Sequence, residues 1–242
     1  MMEEEIRRLY VRSVHLEKEI PEDHYLKNIP AVRQLGKQDL VFDSPISIFI
    51  GENGTGKSTI LEAIAVASRY NPEGGNRNMS FSTKDSHSDL HEYIRIAKNL
   101  HEKDGFFLRA ESFYNVATYI NEVAYDKYYG GPLHEMSHGE SFLSLVKNRF
   151  EGHGLYLLDE PEAALSPQRL MTLLVYIHDL ISEESQFIIA THSPIIMSYP
   201  SADLFEFSDE GIRKVRYQDT DHYKIMKDFI EKPEVMYHHL FD

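Results

Sequence analysis

Two stretches of the sequence carry residue types whose spacing suits phosphate chemistry. Gly51-Glu52-Asn53-Gly54-Thr55-Gly56-Lys57-Ser58, followed by Thr59, fits the pattern G-x-x-x-x-G-K-[ST] between an apolar run and a helical one. Glycines there let successive backbone N–H groups curl around an anion, and the N-terminus of the following helix adds a favourable field. Lys57 is expected to reach the β- and γ-phosphates, and Ser58 to offer an oxygen to Mg²⁺. The second stretch, Leu155-Tyr156-Leu157-Leu158-Asp159-Glu160, is an apolar strand ending in two carboxylates. An aspartate at such a strand end helps hold Mg²⁺ beside a nucleotide, and a second carboxylate beside it can polarise an attacking water. An acidic turn before Pro161 would explain the pair alone; the glycine-rich loop upstream shifts the balance to function.

Three weaker signals lie near these. Met136-Ser137-His138-Gly139-Glu140 opens a helix, and Ser137 with Glu140 three residues on is a capping box. Phe187-Ile188-Ile189-Ala190-Thr191-His192 is a buried strand running into a histidine. In Pro161-Glu162-Ala163-Ala164-Leu165-Ser166-Pro167, Ser166 is placed to cap a helix whose first position is Pro167. Asp85, His87, Asp89 and His91 alternate in a way that metal ligands sometimes do, but helix capping explains the same residues and is preferred.

Stepwise along the chain, apolar strands are expected at 9–15, 46–50, 106–110, 155–158 and 187–190. A hairpin is expected around Gly211, pairing 204–207 with 212–215. Helical spacing predicts a helix beginning near Ile60, others at 90–100, 112–127 and 138–150, one on Leu170, Leu173, Leu174, Ile177 and Ile181, and two over 219–231 and 234–241. Residues 20–45 read as irregular and 71–89 as a loop. Continuous apolar strands alternating with amphipathic helices indicate an α/β fold with a mostly parallel central sheet buried on both faces. The chain reads as one domain: residues 1–70 and 151–242 form a nucleotide-binding core lobe, and 71–150 an inserted helical subdomain.

Composition narrows the partners. The 242 residues hold 25 basic and 39 acidic side chains, a formal net charge of −14, which disfavours non-specific coating of nucleic acid without excluding it. Arg7, Arg8 and Arg12, and Arg213, Lys214 and Arg216, are small basic clusters best read as solvated faces. With no cysteine, disulfides, zinc ribbons and thiol chemistry are excluded. Met1-Met2-Glu3-Glu4-Glu5 is acidic where a secretory signal is basic, and no apolar run approaches the roughly 20 residues of a membrane helix. A soluble, cytoplasmic protein is the expectation.

Taken in order, the motifs over 51–194 resemble those of ABC-class ATPases. Ser137-His138-Gly139-Glu140 is similar to their L-S-G-G-Q signature with two variant positions. The resemblance implies that Ser137 and the N–H groups of the helix start contact the γ-phosphate of an ATP held by a second subunit. It also implies that His192 is the switch histidine that bonds the γ-phosphate, and that Glu160 is the base. Ser58 and Asp159 would hold Mg²⁺, and two subunits would close head-to-tail around two Mg·ATP. Asp-Glu-Pro-Glu-Ala-Ala-Leu-Ser-Pro over 159–167 looks like the RecF, OLD and SMC branch and the small bacterial "predicted ATPases" rather than transporters, which usually carry Asp where Ser166 stands. No glutamine occurs between Lys57 and Ser137, so the family's Q-loop residue is missing, with Asp85 or His87 as stand-ins. The insertion is far too short for SMC-type coiled-coil arms. Tyr25 and Phe42 are the weak aromatic candidates for stacking on adenine. The alternatives are a DNA-maintenance or defence ATPase, and the ATP-binding subunit of a transporter.

Overall fold

A computed structural model describes residues 9–79, 87–122, 131 and 133–241. Strand β1 (Val11–Leu16) leads through a 3-10 turn at Tyr25–Asn28 to helix α1 (Pro30–Leu35), then β2 (Leu40–Val41), β3 (Ile46–Gly51) and α2 (Lys57–Ala67). A 3-10 turn at Asp89–Glu92 precedes β4 (Ile94–Lys98), β5 (Asp104–Arg109), α3 (Phe113–Glu122) and α4 (His138–Arg149). The remainder is β6 (Gly154–Asp159), α5 (Pro167–Ser182), β7 (Gln186–Ala190), the short α6 (Pro194–Met197), the hairpin β8 (Asp203–Ser208) and β9 (Gly211–Val215), and finally α7 (Asp221–Glu231) and α8 (Pro233–Phe241).

The main sheet has the order β5-β6-β7-β3-β8-β9. Every pairing from β5 to β8 is parallel, and β9 closes the edge antiparallel to β8. Its central strands are buried along their whole length, as a sheet covered on both faces requires. Alternate residues feed two separate cores. Ile46, Ile48 and Ile50 join Tyr156, Leu158, Phe187 and Ile189 against α3, α4 and α5. Phe49, Leu155, Leu157 and Ile188 face the opposite way, onto α2 and the small antiparallel sheet β2-β1-β4. The fold is therefore α/β with a mostly parallel central sheet.

Two local expectations and one about the inserted subdomain differ, and one expected helix is described only in part. The segment 90–100 is a 3-10 turn followed by β4, not a helix. Leu90, Ile94 and Ala97 mimic helical spacing, but Ile94 and Ile96 also alternate, and β1 offers an antiparallel partner that pairs Leu16 with Ile94 and Val14 with Ile96. Residues 20–45, expected to be irregular, contain α1, in which Pro30 occupies the first turn, where its missing N–H costs nothing. The helix expected at 112–127 begins at Phe113; its last residues, 123–127, lie outside the described residues. The 71–150 stretch is also not purely helical, because β4 and β5 come from it and pair with β1 and β6. Among the described residues, no helix is long and apolar enough to cross a membrane.

Candidate functional site

The glycine-rich loop sits between β3 and α2 at the C-terminal edge of the sheet, the usual ligand edge of an open α/β sheet. Its first glycine is compulsory: Gly51 has φ +129°, and a Cβ there would lie 2.1 Å from the Phe207 carbonyl oxygen of β8. Gly56, the residue before α2, has φ +105°, and a Cβ would meet the Ile29 side chain at 2.6 Å. Close packing from both sides thus fixes the loop's curl. Lys57 is buried, and its Nζ donates to the carbonyls of Gly51 at 2.7 Å and Glu52 at 2.9 Å. Burial pulls the Lys57 pKa down, against the opposing pull of Glu160, Asp159 and Glu162.

One helical position on, Ser58 Oγ donates to Asp159 Oδ1 at 3.0 Å across the gap between α2 and the end of β6. A hydroxyl and a carboxylate beside a phosphate cradle form the hard-oxygen donor set that suits Mg²⁺, which takes one or two carboxylates and leaves the remaining positions to phosphate and water. The residues therefore fit the ion. Among the described residues, no group of three or more His, Asp or Glu gathers as a self-sufficient metal cluster. Burial pushes the Asp159 carboxyl up to about 6, opposed by Arg109 and by the Ser58 hydrogen bond.

Glu160 follows in a left-handed backbone conformation, φ +50°, which is uncommon for a residue with a side chain. Its N–H donates to Ala190 O of β7 at 2.9 Å, which holds the turn against the neighbouring strand. Glu160 Oε1 stands 3.8 Å from His192 Nε2, a buried nitrogen with no hydrogen-bond partner among the described residues. Burial, and then Lys57, lower the His192 pKa, favouring the neutral ring. Glu162 holds this histidine in place: its carboxylate accepts from the Thr191 hydroxyl at 2.8 Å and from the His192 backbone N–H. Both its oxygens thus serve the loop after β7, a role the sequence reading did not assign to Glu162.

The cavity over the loop, about 830 Å³, is bordered by Glu52, Asn53, His192 and, from α7, His222, Ile225 and Met226. The His222 ring lies 5.9 Å from that of His192. Sequence reasoning missed α7 here because nothing local marks a distant helix as a wall of the site.

Residues 137–140 do not border this cavity. They open α4 as the capping box predicts: the Ser137 N–H and hydroxyl donate to Glu140 Oε2 at 3.0 and 2.6 Å. These bonds hold the Glu140 carboxyl below its ordinary value, and Arg169 of α5 pairs with it at 3.1 Å. His138 packs edge-on against Phe113, and Gly139 lies too close to Arg169 to carry a side chain without a shift. Ser166 caps α5 by accepting from the Arg169 N–H at 3.4 Å.

Other candidates resolve simply. Phe42 is fully buried, stacked on Phe49 and edge-on to Phe205, so it cannot stack on a base. Tyr25 is half exposed and lies on His24. His87 and His91 rings are 5.5 Å apart; Asp85 falls outside the described residues. Arg12, Arg213, Lys214 and Arg216 are each paired, with Asp43, Glu206, Asp203 and Asp219. Arg7 and Arg8 are outside the described residues.

This geometry agrees with comparisons to known proteins. Residues 26–149, just over half the chain, match the family described as AAA domain. A second AAA domain family, whose description also names the AbiEii toxin and the type IV TA system, matches residues 132–198. The chain belongs to the AAA domain family of P-loop proteins, with an ABC-ATPase fold. The ribose import ATP-binding protein RbsA from two strains of Bacillus cereus is 24% identical over an alignment of 179 residues that covers 64% of this chain and 36% of each relative's length. Among solved structures, cbiO1 from Clostridium perfringens, part of the ABC transporter complex cbiONQ, aligns with TM-score 0.53 and 16% identity, covering 93% of this chain and 97% of that one. At that identity the likeness defines the fold.

Proposed function

We propose that this protein binds and hydrolyses ATP with Mg²⁺, in a site completed when two copies close head-to-tail. The observation that carries the reading is the convergence of Lys57, Ser58, Asp159, Glu160 and His192 on the C-terminal ends of the adjacent strands β3, β7 and β6. The backbone of Gly51–Thr59 cradles the phosphates and the Lys57 ammonium pairs with the β- and γ-oxygens. Ser58 and Asp159 hold Mg²⁺, which when bound neutralises charge developing on those oxygens. Glu160 orients the attacking water and takes its proton. Neutral His192 faces the γ-phosphate with its unpaired Nε2, kept in place by Glu162. The helix start of Ser137, His138, Gly139 and Glu140 is supplied by the other copy, as the resemblance to ABC-class ATPases implies.

In this reading the chain is one domain, with 1–70 and 151–242 as the core lobe and 71–150 carrying the signature helix. It acts as a soluble, cytoplasmic ATPase of the RecF, OLD and SMC branch. Ser166 and the missing glutamine favour that branch over a transporter subunit, although the relatives named above are transport proteins.

Glu160→Gln tests the hydrolytic assignment. It keeps the shape and removes the base, so turnover should fall by about 10²–10⁴-fold while ATP stays bound. Unchanged turnover would remove Glu160 from the chemistry.

A further inference from the structure

The Mg²⁺-side carboxylate has a second partner that no motif announces. Asp159 gives Oδ1 to Ser58; its other oxygen, Oδ2, lies 3.4 Å from Arg109 Nε. Arg109 is the last residue of β5, in parallel register with Asp159, and the Ala110 N–H donates to the Asp159 carbonyl at 3.1 Å. The guanidinium is itself anchored: Arg109 NH1 donates to Glu62 Oε2 at 2.8 Å. Glu62 is buried on α2, one turn beyond Ser58, and its remaining oxygen accepts the Ser88 N–H at 2.7 Å. One cation thus sits between two buried carboxylates, one of them facing the phosphate loop. Arg109 Nε is buried and makes no hydrogen bond among the described residues, so its interaction with Asp159 is electrostatic at this distance.

A carboxylate that must present one oxygen to a divalent cation has to be prevented from turning about its Cβ–Cγ bond. Ser58 alone cannot do this, because its hydroxyl serves the same ion. We propose that Arg109 is a positioning residue for Asp159: it claims Oδ2, leaves Oδ1 on the Ser58 side, and is itself held in place by Glu62. A guanidinium suits this role better than an ammonium, because its fork reaches two carboxylates at once. The inference rests on the Mg²⁺-dependent reading above.

The test compares wild type, Arg109→Gln, Arg109→Lys and Glu62→Gln, binding a non-hydrolysable ATP analogue by calorimetry, with saturating Mg²⁺ and with excess EDTA. In wild type the metal should strengthen binding. In Arg109→Gln that gain should shrink by about tenfold or more, as for other outer partners of metal-ligating groups, while affinity in EDTA stays within about twofold. Arg109→Lys should recover part of the gain and Glu62→Gln should lose part of it; these two carry the test if Arg109→Gln does not fold. A metal-dependent gain as large as that of wild type would overturn the proposal. So would equal losses with Mg²⁺ and with EDTA, which mark a merely structural ion pair. A wild type that binds the analogue in neither condition would instead refute the phosphate-loop reading.

Discussion

At the scale of single residues, the site works through groups that burial has made costly to charge. Lys57 and His192 are both pulled towards their neutral forms by burial, against the carboxylates of Glu160 and Glu162 that act on both. Lys57→Ala should abolish tight Mg·ATP binding without unfolding the protein; a folded variant with wild-type affinity, read by calorimetry, would remove Lys57 from the phosphate site. For His192 the folded-state pKa lies below the ordinary 6.5. The unfolded chain therefore takes up the proton first as pH falls, and stability contributed by the neutral ring is lost below about 6.5 and on through the folded value. Urea unfolding at pH 8, 7, 6 and 5 should show wild type losing stability on acidification more steeply than His192→Gln, and identical slopes would rule this out. The residue types of the phosphate loop, Asp159 and Glu160 were legible because their chemistry tolerates few substitutes. Arg109, Glu62 and the clamp made by Glu162 were not, since a charged residue on a strand or helix is ambiguous until its partner, distant in sequence, is placed beside it.

At the scale of elements, helix starts and strand ends were read well because capping and apolar continuity are local. The capping box at Ser137, the cap at Ser166 with Pro167 behind it, and the buried strands β3, β6 and β7 all follow from neighbours in sequence. Strand β4 was misread because five residues satisfy both periodicities, and only the presence of β1 decides between them. Two substitutions probe the local logic. Ser166→Ala leaves the Arg169 N–H without its cap and should cost about 0.5–2 kcal/mol in urea unfolding; no change would mean water replaces the hydroxyl at no cost. Gly51→Ala should be far worse, because the new methyl is driven into the Phe207 carbonyl at a φ that alanine resists. A thermal midpoint equal to wild type would show that β8 can retreat from the loop.

At the scale of the molecule, the two-copy reading follows from the proposal that the Ser137 helix start serves an ATP held by the other copy. Glu160→Gln should be largely monomeric with ADP and dimeric with Mg·ATP in light scattering. Adding Ser137→Arg should abolish the dimer, because the bulky cation crowds the phosphate and breaks the cap. A protein monomeric in every nucleotide state, with hydrolysis linear in its concentration, would leave a single-chain ATPase. The sheet order carries a consequence for biosynthesis. Strand β3, which leads directly into the phosphate loop, pairs only with β7 and β8, so Ile46 must wait for Phe187 and Ser47 for Asp203. While the ribosome works through the intervening helices and β4, β5 and β6, a strand that is buried along its whole length in the finished fold has both edges bare. Such long-range parallel closure is slow and leaves nascent chains prone to sticking to one another, so a stalled or truncated product ending before β7 should depend on chaperones to stay dispersed, whatever nucleotide is present.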